Sequence, residues 1–166
     1  MTLQAIRFDG DVVHLLDQRR LPEETVWLEC RTAEEVAEAI AAMVVRGAPA
    51  LAIAAAYGLA LASRAGEELD DAHARLAAAR PTAVHLRWAL DRVRGAADVA
   101  AAARSLHEED VVINRRLGEH GAPLLSGGVL TICNTGALAT GGHRTALGMV
   151  RSALAMGQNL HLYALE

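Results

Sequence analysis

Gly127-Gly128-Val129-Leu130-Thr131-Ile132-Cys133-Asn134-Thr135-Gly136-Ala137-Leu138-Ala139-Thr140-Gly141-Gly142 decides how this chain is read. Val129 to Cys133 is a short apolar run next to glycines, the pattern of a buried strand. Asn134 to Gly142 is a glycine-bearing loop. Thr145 to Met156 then carries helical patterning, Gly157 stops it, and Leu160 to Ala164 reads as a second strand. Strand, loop, helix and strand in that order open a doubly wound α/β sheet. Two parallel strands and one helix cannot cover both faces of such a sheet. The segment is therefore expected to be the truncated start of a Rossmann-like parallel sheet. Its open edge and uncovered apolar face predict dimers or larger species.

Upstream of Ala122-Pro123-Leu124-Leu125-Ser126 the character differs, and a domain boundary is expected there, between 1–125 and 126–166. Ile6-Arg7-Phe8 and Val12 to Leu16 flank the turn dipeptide Asp9-Gly10 and predict a hairpin. Val26 to Cys30 is a third short strand. Thr32-Ala33-Glu34-Glu35 is a capping box. Behind it Val36, Ile40, Met43 and Val44 fall on one helical face, with Arg46-Gly47 closing the helix. Pro49 opens a helix from Ala50 to Ser63 that is apolar nearly all round and so buried. A third helix is expected over about 67–79. A fourth starts at Pro81, with Val84, Leu86, Trp88 and Leu90 supplying its packing. Asp98 caps a fifth that reaches Leu117 and ends near Gly118 and Gly121. The fold class is thus α/β overall: a small β-hairpin region and a helical N-terminal domain, then the start of a parallel sheet.

Composition supports a folded chain and narrows its partners. Hydrophobic residues make up 52% and charged residues 22% of 166, enough for a core. Aromatics are only 3%, so alanine, leucine and valine must pack it, in closely approaching helices. A net charge of −4 argues against a sequence-blind nucleic-acid binder. The start of the chain has no basic segment followed by a long apolar run, and the run from Ala48 to Ala62 is short for a bilayer, so no membrane partner and a cytoplasmic location are expected. The two cysteines, Cys30 and Cys133, form no CxxC pair, and the seven histidines show no ligand spacing. No metal is proposed. The loop after Cys133 is neither a GxGxxG fingerprint nor a Walker loop, which gives nicotinamide or nucleotide binding little support, and no cofactor is expected.

Three places can carry chemistry. Arg46-Gly47-Ala48 lies between two helices, where a glycine admits close approach, helix-start amides point outward and an arginine can grip a phosphate. A plain helix corner with a surface arginine is the competing reading. Arg80 stands just before another helix start, unfavourable for a cation unless an anion sits there too; a solvated loop arginine competes. Cys133 lies at the carboxyl end of the first α/β strand, where open sheets bind ligands. Helix-start amides nearby favour a thiolate, against the reading of a buried structural thiol. Cys30 lacks such a setting and is expected to be structural.

Four strings then act together: Leu15-Leu16-Asp17-Gln18-Arg19-Arg20-Leu21-Pro22, Val44-Val45-Arg46-Gly47-Ala48-Pro49-Ala50 with Ala54-Ala55-Ala56-Tyr57-Gly58, Arg80-Pro81-Thr82-Ala83-Val84, and Cys133 to Gly142. In that order the chain resembles the methylthioribose-1-phosphate isomerase family of methionine salvage, along essentially its whole length. The wider superfamily includes ribose-1,5-bisphosphate isomerase and regulatory subunits of eukaryotic initiation factor two-B. The resemblance implies an aldose–ketose isomerase acting on a small sugar phosphate, typically a homodimer. It implies substrate binding by Arg46, Gly47, Ala48 and Arg80, and Cys133 as the active-site cysteine. It places the family's catalytic aspartate in a later segment, so the 166-residue chain alone is expected to be inactive. Ile132 stands where the family commonly has histidine, and His143-Arg144 where it often has an aromatic residue and glycine. Leu51-Ala52 replaces the usual Ile-Gly, and Arg87 a common aromatic.

Overall fold

The computed structural model describes residues 4–165. The chain begins with an antiparallel sheet of β1 (Ile6–Phe8), β2 (Val13–Leu16) and β3 (Trp27–Cys30), in the order β1-β2-β3. Ile6 pairs with Leu15, and Leu15 with Leu28. The β1–β2 turn forms because Asp9 Oδ1 accepts from the amides of Asp11 (2.9 Å) and Val12 (2.8 Å). Gly10 between them takes φ +109°, a conformation open to glycine. Ile6, Val13, Leu15 and Leu16 face inward and are fully buried.

Five helices follow: α1 (Ala33–Ala41), α2 (Ala48–Ala65), α3 (Leu69–Ala79), α4 (Val84–Arg94) and α5 (Val99–Gly121). The capping box of α1 is complete. Thr32 Oγ1 accepts from the Glu35 amide, and Glu35 Oε2 accepts from the Thr32 amide at 3.1 Å. The other end corrects the expected helical stripe. Met43 is not on the helix; it stands at φ +60° and is exposed, while Val44 is buried through the loop. The Val44 amide reaches back to Ala39 O and the Met43 amide to Ile40 O, a Schellman closure with methionine in the place glycine usually takes.

Helix α2 is the centre of the fold, touching α1, α3, α4 and α5. It runs 18 residues, longer than the apolar run suggested, with a mean hydropathy of 1.3; burial by its four neighbours accounts for that apolarity. Small residues allow the close approach. A Cβ on Gly58 would lie 2.9 Å from Leu76 Cδ2 and 3.0 Å from Val36 Cγ1, so α1 and α3 seat directly on this backbone.

Two expectations for α4 fail. Pro81 and Thr82 form a turn, and the helix starts only at Val84. Arg80 O accepts from the Ala83 amide, closing that turn before the helix can begin. Val84 and Trp88 are exposed, and Leu86, Ala89, Leu90 and Val93 make the buried face. Asp98 caps α5 as expected, accepting from the Ala101 amide at 2.9 Å.

A short 3-10 turn (Ala122–Leu124) leads to β4 (Gly127–Ile132), then a second 3-10 turn (Ala137–Ala139), α6 (Ala146–Ala155) and β5 (Leu160–Leu165). β4 and β5 pair in parallel from Gly127 with Leu160 to Ile132 with Leu165. This is the expected strand–loop–helix–strand unit. β4 is not the buried strand expected, however: Leu130 and Ile132 are 67% and 64% exposed, because among the described residues only β5 pairs with it. α6 docks on α5, where Gly118 and Gly121 leave room for Ser152 and Met149.

Candidate active site

The site is organised by the loop that leaves β4. Cys133, its first residue, is exposed and has φ +72°. A left-handed conformation is costly for a side-chain-bearing residue and persists only where the surroundings impose it. Those surroundings hold the loop at several points.

At its near end, Thr145 closes the loop on itself. Its amide and hydroxyl both donate to Thr135 O, at 3.1 and 3.3 Å, which sets the start of α6 beside the residues that follow Cys133. No side chain caps α6, so its first amides have no side-chain partner there. Inside the loop, buried Thr140 donates to His143 O and accepts from the Gly142 amide.

In the middle, the loop docks on the head of α2. Gly47, the residue before that helix, has φ +101°. A Cβ there would overlap that of Ala139, lying 2.7 Å from Ala139 Cα and 2.9 Å from Ala139 O. Only glycine permits this approach; the sequence suggests a ligand approaching this glycine, and what the structure places against it is a protein loop. Gln18 fastens the same junction from the hairpin sheet. Its amide donates to Val44 O (2.9 Å) and its side chain to Leu138 O (2.8 Å). Beside it, buried Asp17 accepts from the backbone and guanidinium of Arg19, which holds the Asp17 carboxyl below the usual carboxylate range.

At the far end, α5 supplies two side chains. His107 Nε2 lies 2.7 Å from Gly141 O, and Asp110 Oδ2 accepts from the Gly141 amide at 2.7 Å. His107 Nδ1 lies 2.7 Å from the hydroxyl of buried Tyr57. Burial pushes the Tyr57 phenol up, so it stays a neutral donor. Burial also pushes the Asp110 carboxyl up, partly offset by the Gly141 amide, His107 and Asn114.

Of the residues singled out in the sequence, the structure brings Gly47 and the Cys133 loop into contact. Arg46 and Ala48 flank that contact and are exposed. The head of α2 has no side-chain cap. Arg80 lies apart on the chain, half-buried in the α3–α4 turn. The ion pairs among the described residues engage other arginines, leaving Arg46 and Arg80 without a carboxylate partner there. Cys30 is buried, and its thiol is pushed up to about 11 by that burial and by Glu35 and Glu38, the setting of a structural cysteine. Gln18, Tyr57, His107 and Asp110 were given no role by the sequence reading. The spacing of His107 and Asp110, three apart on a helix, puts them on one face and was the available signal.

The Initiation factor 2 subunit family matches residues 44–166. A protein from Alkalilimnicola ehrlichii named methylthioribose-1-phosphate isomerase is 53% identical over 92% of this chain and 50% of its own length. One of the same name from Thermus thermophilus is 50% identical over 93% of this chain and 48% of its own. The chain thus spans about half the length of the curated relatives it matches. Among solved structures, 5-methylthioribose 1-phosphate isomerase from Pyrococcus horikoshii OT3 superposes with a TM-score of 0.81 at 30% identity, covering 97% of this chain and 60% of that one. Subunit delta of translation initiation factor eIF-2B from A. fulgidus gives 0.78 at 43% identity, covering 98% and 54%. The resemblance carried by the four sequence strings therefore holds, and the chain belongs to the Initiation factor 2 subunit family.

Proposed function

We propose that the chain forms the phosphate-gripping and thiol-bearing part of an aldose–ketose isomerase that converts 5-methylthioribose 1-phosphate to 5-methylthioribulose 1-phosphate. The observation that carries this is the contact of Gly47 with Ala139, which joins the uncapped head of α2 to the loop that starts at Cys133. Arg46 and the amides from Ala48 onward hold the phosphate of the substrate, with Arg80 as a second cation. Cys133 stands at the reacting carbons. The substrate's anomeric oxygen carries the phosphate, so the ring opens only when an acid protonates the ring oxygen. Hydrogen then moves from C2 to C1. A carboxyl group serves as acid and base, and the family places it in a segment outside these 166 residues. Cys133 supplies the second polar group, held ready by its strained backbone.

In this reading residues 1–125 and 126–166 are two domains, the protein is a cytoplasmic homodimer, and it needs no cofactor. The 166-residue chain alone is inactive. The test is turnover of 5-methylthioribose 1-phosphate by residues 1–166 fused to the second half of the Alkalilimnicola relative. Ketose formation that falls at least ~100-fold in Cys133→Ala is expected, the scale of losing a group that acts in the transition state. Turnover indifferent to Cys133→Ala would defeat the assignment. A non-catalytic subunit of the initiation-factor type is the second reading, favoured by the 43% identity to the A. fulgidus protein. It predicts no turnover of this or a related pentose phosphate by a well-folded fusion.

A further inference from the structure

We infer that His107 and Asp110 are positioning residues that clamp the backbone of Gly141 and so fix the Cys133 loop, with Tyr57 setting the proton on His107. This rests on Cys133 being the working thiol of the proposed site, and it assigns a role to a helix, α5, that no part of the motif pattern covers.

The argument begins with the donors. Gly141 O can only accept, so His107 Nε2 carries a proton and donates to it at 2.7 Å. In the neutral imidazole Nδ1 is then an acceptor, and the Tyr57 hydroxyl 2.7 Å away donates to it. One tautomer satisfies both contacts. Asp110, one turn further along α5, accepts from the amide of the same residue at 2.7 Å. Both backbone groups of Gly141 are thus held by side chains from a single helix face.

Sterics say the same. A Cβ on Gly141 would lie 2.6 Å from His107 Cδ2 and 3.0 Å from Asp110 Oδ2, so the glycine is needed for the clamp to close. Gly141 is buried, as is Thr140 beside it, so water does not stand in for these partners. The loop is otherwise pinned at Thr135 by Thr145 and at Leu138 and Ala139 by Gln18 and Gly47. The clamp on Gly141 closes the loop beyond those pins, so releasing it leaves the run from Cys133 onward to be held by the pins alone. The clamp also explains why Tyr57, a polar ring in an alanine-rich helix, stands where it does: α2 supports the loop twice, at its head through Gly47 and through Tyr57 by way of His107.

The test uses the 166-residue chain. Hydrogen exchange of the segment 134–144 and the alkylation rate of Cys133 by iodoacetamide are measured in Asp110→Ala, His107→Ala, Tyr57→Phe and Asp110→Asn. Loss of one buried hydrogen bond is expected to speed both by about tenfold in the two alanine variants. Asp110→Asn, which keeps an acceptor for the Gly141 amide, restores the parent rates to within about twofold, and Tyr57→Phe gives a smaller increase than His107→Ala. Val36→Ala, a core change away from the loop, lowers Tm and leaves the Cys133 rate alone. Unchanged exchange and alkylation in folded Asp110→Ala and His107→Ala would overturn the clamp, whatever the activity of the fusion. An inactive fusion whose clamp variants still free the loop would remove the isomerase reading and leave the clamp standing.

Discussion

Replacing Gly47 by alanine puts the docking of the Cys133 loop on trial. Two costs add. The residue sits at φ +101°, where a Cβ meets its own backbone, and holding alanine there costs about 1–3 kcal/mol. The new methyl group would also stand 2.7 Å from Ala139 Cα and 2.9 Å from Ala139 O, so the loop must retreat by roughly 1 Å or more to reach ordinary contact. Overpacking of this kind costs about 1–3 kcal/mol. A loss of roughly 2–6 kcal/mol follows. For a chain of this size each kcal/mol lowers Tm by ~2–4 °C, so even the low end is visible by circular dichroism as a fall of about 4–8 °C. Gly95→Ala is the matched control: its φ is −84° and nothing lies within 4 Å of an added Cβ, so Tm should hold to within ~2 °C. Adding Ala139→Gly to Gly47→Ala should restore only part of the loss, because the Ala139 backbone remains in the way. A Tm for Gly47→Ala equal to that of Gly95→Ala would refute the close approach.

Other outcomes follow from the same structure. Thr32→Ala breaks the capping box of α1 and should cost about 1 kcal/mol in urea denaturation; no loss would mean the paired bonds are not formed in solution. Asp110→Asn should raise Tm at pH 7. Burial holds the Asp110 carboxyl above its ordinary value, so its stabilising contribution is present below that value and lost as pH rises through the folded one. The gain should therefore shrink as pH falls toward 4, and a gain that grows in acid would contradict the burial. With iodoacetamide at pH 8 one thiol should react quickly, Cys133, and Cys30 only on unfolding; two fast thiols would show that Cys30 is not enclosed.

Much of this architecture was legible because its signals are local. Asp9-Gly10 carried the hairpin, Thr32 and Asp98 the starts of α1 and α5, and the glycine-bearing run after Cys133 the turn from strand to helix. Local signals failed where a distant contact decided the outcome. Met43 fits a helical stripe by spacing, yet α1 closes two residues earlier because the Val44 amide reaches Ala39 and carries the chain toward Gln18. Pro81 suits a helix start, but the turn closed by Arg80 and Ala83 displaces it. β4 reads as buried because its residues are apolar; its exposure depends on how many strands stand beside it, which no short pattern encodes. Cys133 and Arg46-Gly47 stood out through position and motif. The partners that fasten them, Gln18, His107 and Asp110, did not, since each acts across a long stretch of chain through a backbone atom that no side-chain pattern marks.

The proposed function makes the head of α2 and the Cys133 loop one sugar-phosphate site, and protection of Cys133 by a ligand tests that most directly. Alkylation of Cys133 would be followed in the 166-residue chain with and without millimolar 5-methylthioribose 1-phosphate, in the parent and in Arg46→Ala. Slower alkylation in the parent, lost in Arg46→Ala, is the predicted result. Alkylation that the phosphate ester leaves unchanged in the folded parent would contradict the account.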